Sequence, residues 1–205
     1  MKHDQIYFHS AKEIEPLLKE IRDLIFYRME ENSDVTVLLL LICGLLNKTY
    51  ELTETALWAI KNDRPQTSAF MLRGLFETLA ITYYITNKLQ NTKPENFSEV
   101  VNSIAFGSRK PGSKYQSINI ITCIDKASKR FSNLRKGYDA LSEIVHPNSV
   151  SHFYVAQATD EENRLASIEI PFYKFKKTDK EASLNQVGEC CSHIITLSKL
   201  LIKLS

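Results

Sequence analysis

Between Ala69 and Ile85 the chain is apolar at almost every position. Only Arg73, Gly74, Glu77, Thr78 and Thr82 interrupt a run of Ala, Phe, Met, Leu, Ile and Tyr. A helix that is apolar all round has to be covered on most of its sides. This segment therefore predicts a layer of helices packed about it, with itself at the centre. The sequence supports that layer. With 6 Gly and 6 Pro in 205 residues, the chain has few of the turn residues that an all-β sandwich needs. Its 43% apolar and 24% charged content is ordinary for a globular protein. The length suits one domain, expected to span residues 1–205.

Helix signals divide the rest. Ser10 and Glu13 stand at capping-box spacing and open a helix expected to run to about Met29. Glu30 to Asp34 breaks the pattern, and a second helix is expected over about Val35 to Ile60. Asn62-Asp63-Arg64-Pro65 reads as a turn, with Pro65 at the first position of the central helix, which reaches about Leu89. A short helix follows from Phe97 to Phe106 and ends at Gly107. Ser108 to Ser113 is a loop, and helical pattern resumes from Ile118 to Val145, stopping before Pro147. Residues 152–158 and 165–170 are rich in aromatic and β-branched residues about a polar turn, which predicts a small hairpin. A last helix runs from about Lys180 to Leu204. Short connections make these helices antiparallel neighbours. The expected fold is an all-α antiparallel bundle of five to seven helices with a small β-hairpin before the C-terminal helix.

The N-terminal residues lack the apolar core of a signal peptide. The longest apolar stretch, Val35 to Leu46, which includes Thr36 and Gly44, is too short to span a bilayer, which takes about 20 residues. Cys43, Cys123, Cys190 and Cys191 form no C-x-x-C pair and read as reduced, mostly buried thiols. The expectation is a cytoplasmic protein with no membrane partner, no metal and no cofactor.

Two polar lines interrupt the apolar faces. At 100° per residue, Gln66, Arg73, Glu77 and Tyr84 lie within about 40° of one line on the central helix. Arg73 and Glu77 are at i, i+4 and can pair. Tyr138, Ser142 and His146 form the second line at successive i, i+4 spacing. His146 precedes Pro147, at a helix C-terminus whose dipole favours an imidazolium. Buried polar groups must find partners, so the two lines are expected to meet, bringing Glu77 to His146. The alternative is that both lines are structural.

Charge is also uneven. From Arg109 to Lys136 the basic residues are Arg109, Lys110, Lys114, Lys126, Lys129, Arg130, Arg135 and Lys136, against Asp125 alone, in a chain of net charge +2. Such a segment, with Tyr115 and Phe131 in it, suits phosphates of RNA or of a nucleotide, and equally a solvated helix face. Glu20 and Asp23 on the first helix and Glu51 and Glu54 on the second could converge on Mg²⁺, as in helical nucleotide pyrophosphohydrolases.

The motif residues, Ala69 to Glu77 with Arg73 and Glu77, Tyr84, and then Tyr138-x3-Ser142-x3-His146-Pro147, resemble a group of bacterial all-helical proteins of HEPN-like appearance. The resemblance spans roughly Thr67 to Ser149. It implies a helical bundle, often dimeric, that works on or binds RNA in defence or stress response. Active members carry an Arg, then four to six residues, then a His. Here the nearest arginine before His146 is Arg135, with ten residues between them. The expectations are thus a HEPN-like homodimer that binds RNA or a nucleotide, with Arg73, Glu77, Tyr138, Ser142 and His146 as candidate catalytic residues. Arg109, Lys110, Lys129, Arg130 and Arg135 are the candidate anion-binding residues. A non-enzymatic interaction or oligomerisation module stands beside that reading, and the Mg²⁺-dependent bundle behind both.

Overall fold

The computed structural model describes residues 7–31, 36–146, 156–160, 165–168 and 177–204. Seven α-helices occur among them: α1 (Ala11–Glu31), α2 (Val37–Lys61), α3 (Pro65–Gln90), α4 (Phe97–Ala105), α5 (Ile120–Ser128), α6 (Leu134–Val145) and α7 (Lys177–Ile202). The packed body is all-α. No helix among the described residues is long and apolar enough to cross a membrane.

The helix starts follow from local chemistry. Glu13 folds back onto the start of α1, its carboxylate accepting from the His9 N–H and from the Ser10 hydroxyl at 3.0 Å each. Those two donors, the backbone one first, hold its carboxyl below the usual range. Thr36 caps α2 by accepting from the Leu39 N–H at 3.1 Å. Asp63 turns the chain at φ 53°, and Pro65 opens α3 with the N–H it lacks among the orphaned ones. Asn119 caps α5 through the Ile121 N–H at 2.9 Å.

One expected helix is two. The pattern from Ile118 to Val145 reads as continuous, but the chain breaks after Ser128. The Ala127 carbonyl takes both the Arg130 and the Phe131 N–H at 2.9 Å, and a turn follows. The reason is tertiary. The turn lets Phe131 enter between α3 and α7, 5.7 Å from the Tyr83 ring and 4.8 Å from the His193 ring. No Gly or Pro marks the break.

Packing puts α3 at the centre, against α2, α4, α5, α6 and α7. Leu72, Leu75, Phe76 and Leu79 of α3 meet Ala56 of α2, Ile124 of α5 and Ile194 of α7 in one cluster of the core. A second cluster joins Ile85 and Leu89 of α3 to Ile42 and Leu46 of α2 and to Leu201 of α7. Most of the threonines within are satisfied in their own helix, while the buried Ser68 and Ser198 hydroxyls have no partner among the described residues. Thr78, Thr82 and Thr86 each donate to the carbonyl four residues back at 2.8 Å. Thr53 and Cys191 share a bond at 2.8 Å, and burial pushes the Cys191 thiol up to about 11. Burial raises Cys43, Cys123 and Cys190 as well, so all four cysteines, none of them in a disulfide, are poor nucleophiles.

Ahead of α1, Phe8 lies across α7. Its N–H donates to the Asn185 side chain at 3.0 Å, and its ring fills the space that the missing side chain of Gly188 leaves. The hairpin expected over 152–170 falls largely outside the described residues. Of it, Ala156–Asp160 and Leu165–Ile168 are described and run antiparallel to each other.

Candidate functional site

The polar line of α3 is the narrow strip where that helix reaches solvent. Phe76 beside it and Leu75 on the opposite face are buried, while Arg73 and Glu77 keep 22% and 26% of their side-chain surface. The expectation of two deeply buried charges is corrected accordingly. The strip is open because α2 closes on one flank of α3, through Leu52 against Gly74, and α6 on the other, through Gly137 against Phe76. A Cβ on Gly137 would come within 2.6 Å of the Phe76 ring, so the absent side chain lets α6 approach α3 this closely.

That approach brings Tyr138 to the strip. The Arg73 guanidinium donates to the Tyr138 hydroxyl at 3.2 Å, and the hydroxyl donates to Glu77 Oε1 at 3.2 Å. Arg73 Nε stands 3.4 Å from the same carboxylate oxygen without bonding to it, and the guanidinium carbon lies 5.3 Å from the Tyr138 ring centre. Tyr138 itself is buried. The two polar lines therefore meet at one residue. Ser142 turns back and donates to the Tyr138 carbonyl at 2.8 Å. His146 caps α6 through its N–H on the Ser142 carbonyl, and its side chain is exposed. It stands two turns, about 12 Å, along α6 from Tyr138. The imidazole makes no hydrogen bond or ion pair with Glu77, which corrects the expected contact. Gln66 is exposed at the first turn of α3. Tyr84, further along α3, packs against α5 instead. The Lys126 ammonium lies 4.7 Å over its ring, and burial, with Cys123 beside it, raises the phenol.

Exposure of the pair sets its worth. A part-exposed ion pair contributes about 0–1 kcal/mol. Glu77→Gln keeps an acceptor for Tyr138 and removes only the charge. It is expected to cost less than about 1 kcal/mol in a denaturant titration, and a loss of several kcal/mol would mean that the pair is desolvated.

The basic segment divides in two. Arg109, Lys110 and Lys114 are exposed on the loop before α5, which is tied at its base by Ser108 N–H to Tyr115 O at 2.9 Å and Ser117 N–H to Ser108 O at 3.1 Å. Lys126, Lys129, Arg130 and Lys136 are exposed on α5, the turn after it and α6. Arg135 is not available in the same way. Its guanidinium grips Asp139 through Nε, at 2.8 and 3.0 Å, and pairs with Asp125 of α5 through Nη1. It fastens α5 to α6 rather than facing a ligand. Asp139, at i+4 from Arg135, is the signal in the sequence that identifies this role.

The four carboxylates proposed for Mg²⁺ are dispersed. Glu20 pairs with Lys199 of α7, Glu51 accepts from Asn47 at 3.1 Å, and Glu54 from Tyr50 at 3.5 Å. Among the described residues no three metal-ligating side chains come together. An open cleft of about 620 Å³ lies between α4 and the tied loop, lined by Glu99, Val100, Ser103, Lys114, Tyr115 and Gln116. Nothing in the sequence marks it, because it forms only when the loop folds back on α4.

Fold and site together define an all-α bundle with a part-exposed Arg–Tyr–Glu cluster where α6 meets α3, and with exposed cations on the loop before α5, on α5, on the turn after it and on α6. Comparison with protein-family models, curated proteins and solved structures returned no match. The HEPN-like resemblance thus rests on the motif residues named above.

Proposed function

We propose that this chain is a HEPN-like binding module that holds RNA or a nucleotide by its phosphates. One observation carries the reading. Asp125, the one carboxylate within the basic stretch, and Asp139 just beyond it are both occupied by Arg135, while Arg109, Lys110, Lys114, Lys129 and Lys136 stay exposed. A face of that kind attracts a polyanion and releases its counterions. Contacts to phosphate carry no base information, so binding is expected without sequence preference. The resemblance adds a role in defence or stress response, and a hairpin ahead of α7 remains part of the proposed fold.

Fluorescence anisotropy with a labelled single-stranded RNA tests this. With four phosphate contacts, affinity should fall about 50-fold between about 50 and 200 mM salt. Absence of binding at low salt, or affinity indifferent to salt, refutes the reading. RNA shortened by the wild type and left whole by His146→Ala would make the module an enzyme. A second reading, a purely structural interaction module, is supported by the Arg73–Tyr138–Glu77 cluster, which joins two helices of one bundle.

A further inference from the structure

The cleft between α4 and the tied loop has fixed walls. On α4, Glu99, Val100 and Ser103 stand at i, i+1 and i+4 and line one side. The returning loop lines the other with Lys114, Tyr115 and Gln116. Gly107 sets how closely the two walls approach. A Cβ on it would come within 2.6 Å of the Ser103 carbonyl oxygen, 2.8 Å of Ser117 Cα and 3.0 Å of the Gln116 carbonyl oxygen. All three are backbone atoms, so the loop returns this close to α4 only because residue 107 has no side chain. The Tyr115 carbonyl is pinned twice, by the Ser108 N–H and by the Ser113 hydroxyl, at 2.9 Å each. The Lys114 ammonium lies 5.2 Å from the centre of the Tyr115 ring, which holds it at the cleft.

The polar groups of the two walls are sorted. The Glu99 carboxylate can only accept. The Ser103 hydroxyl gives its hydrogen to the Val100 carbonyl at 2.8 Å, so it too is left to accept. Gln116 donates through Nε2 to the Ser113 carbonyl at 3.3 Å, which leaves its Oε1 as an acceptor. Against these acceptors stands one cation, Lys114. Among the described residues neither Glu99 nor Lys114 has an ion pair, and the two stay beyond ion-pair distance of each other across the cleft. Opposite charges held apart in this way fit a molecule that carries both. A primary ammonium has three N–H donors and no acceptor, which matches Glu99, Ser103 and Gln116. A carboxylate matches Lys114. Val100 adds an apolar surface for the body of the molecule.

We infer that this cleft binds a small zwitterion, a free amino acid or a short peptide, with its ammonium among Glu99, Ser103 and Gln116 and its carboxylate on Lys114. The inference stands apart from what the basic face binds. It shares only Lys114 with that face, and the Glu99 carboxylate repels a phosphate from the cleft.

Calorimetric titration of the full chain with phenylalanine and with the dipeptide alanylphenylalanine tests this. Whichever binds is then compared with its amide, which lacks the carboxylate, and with its N-acetyl form, which lacks the ammonium. At least one zwitterion is expected to bind with a Kd of about 1 mM or tighter. Each blocked form should bind about tenfold more weakly, because it leaves one charged group of the cleft without a partner. Glu99→Gln and Lys114→Gln, at exposed positions and checked for folding by circular dichroism, should weaken the zwitterion by about the same factor. Binding of phenylalanine but not of the dipeptide identifies a free amino acid as the ligand, and the reverse identifies a peptide. Failure of both to bind at about 10 mM overturns the inference. So does a blocked form that binds as tightly as its parent, or either variant binding as tightly as the wild type.

Discussion

Gly188→Ala is expected to destabilise the chain by about 2–3 kcal/mol, although alanine is the better helix former by about 1 kcal/mol. The reason is Phe8. A Cβ on residue 188 would stand 2.3 Å from Phe8 Cγ and Cδ2. Those atoms are at the root of a rigid ring, so no rotamer clears them while the backbone of Phe8 stays bonded to Asn185. Phe8 is 6% exposed, and evicting it gives up about 2–3 kcal/mol of apolar burial. Phe8→Ala alone should cost about 3–5 kcal/mol. The pair gives the decisive measurement. In the Phe8→Ala background the space is empty, and Gly188→Ala should become neutral or stabilising through helix propensity. Urea unfolding of the four proteins measures this, and simple additivity would show that Phe8 does not occupy that position in solution.

The second large effect concerns the basic face. If phosphates lie on it, Lys110→Glu with Lys129→Glu replaces two attractions by two repulsions. RNA affinity should fall by about tenfold or more for each, about 1.4 kcal/mol apiece. Arg135 supplies the control. Lys129→Gln should lower the slope of log affinity against log salt by about 0.7, the loss of one single-strand phosphate contact. Arg135→Gln should leave the slope unchanged, because its guanidinium is committed to Asp125 and Asp139. Equal slope changes for the two variants would mean that Arg135 leaves its carboxylates for the ligand.

Much of this architecture is legible in the sequence because its signals are local. The apolar run of α3, the cap at Thr36, the proline at 65 and the return of Glu13 to Ser10 involve neighbours a few residues apart, and the structure places helices where these signals fall. The break between α5 and α6 is not legible. It comes from Phe131 packing on Tyr83 and His193, which lie 48 and 62 positions away in the chain. The site shows the same division. The i, i+4 spacing aligns Arg73 with Glu77 and Tyr138 with Ser142 and His146, and Tyr138 does join the first pair. Spacing does not say how far along α6 the contact extends. That is decided by where Gly137 lets the helix touch Phe76, and it leaves His146 two turns away.

By itself, the sequence determined the helices other than the division between α5 and α6, and the central position of α3, since a segment apolar on nearly every side is stable only when other helices cover it. It also determined the basic composition of the stretch from Arg109 to Lys136. Only the tertiary structure decided which of those cations stay exposed and that the α3 strip carrying Arg73 and Glu77 reaches solvent. It alone set the ring of Phe8 against Gly188. Each of these depends on how closely two elements distant in the chain approach. That distance is fixed by side-chain volume at the contact, and volume at a contact is not a periodic property of either segment.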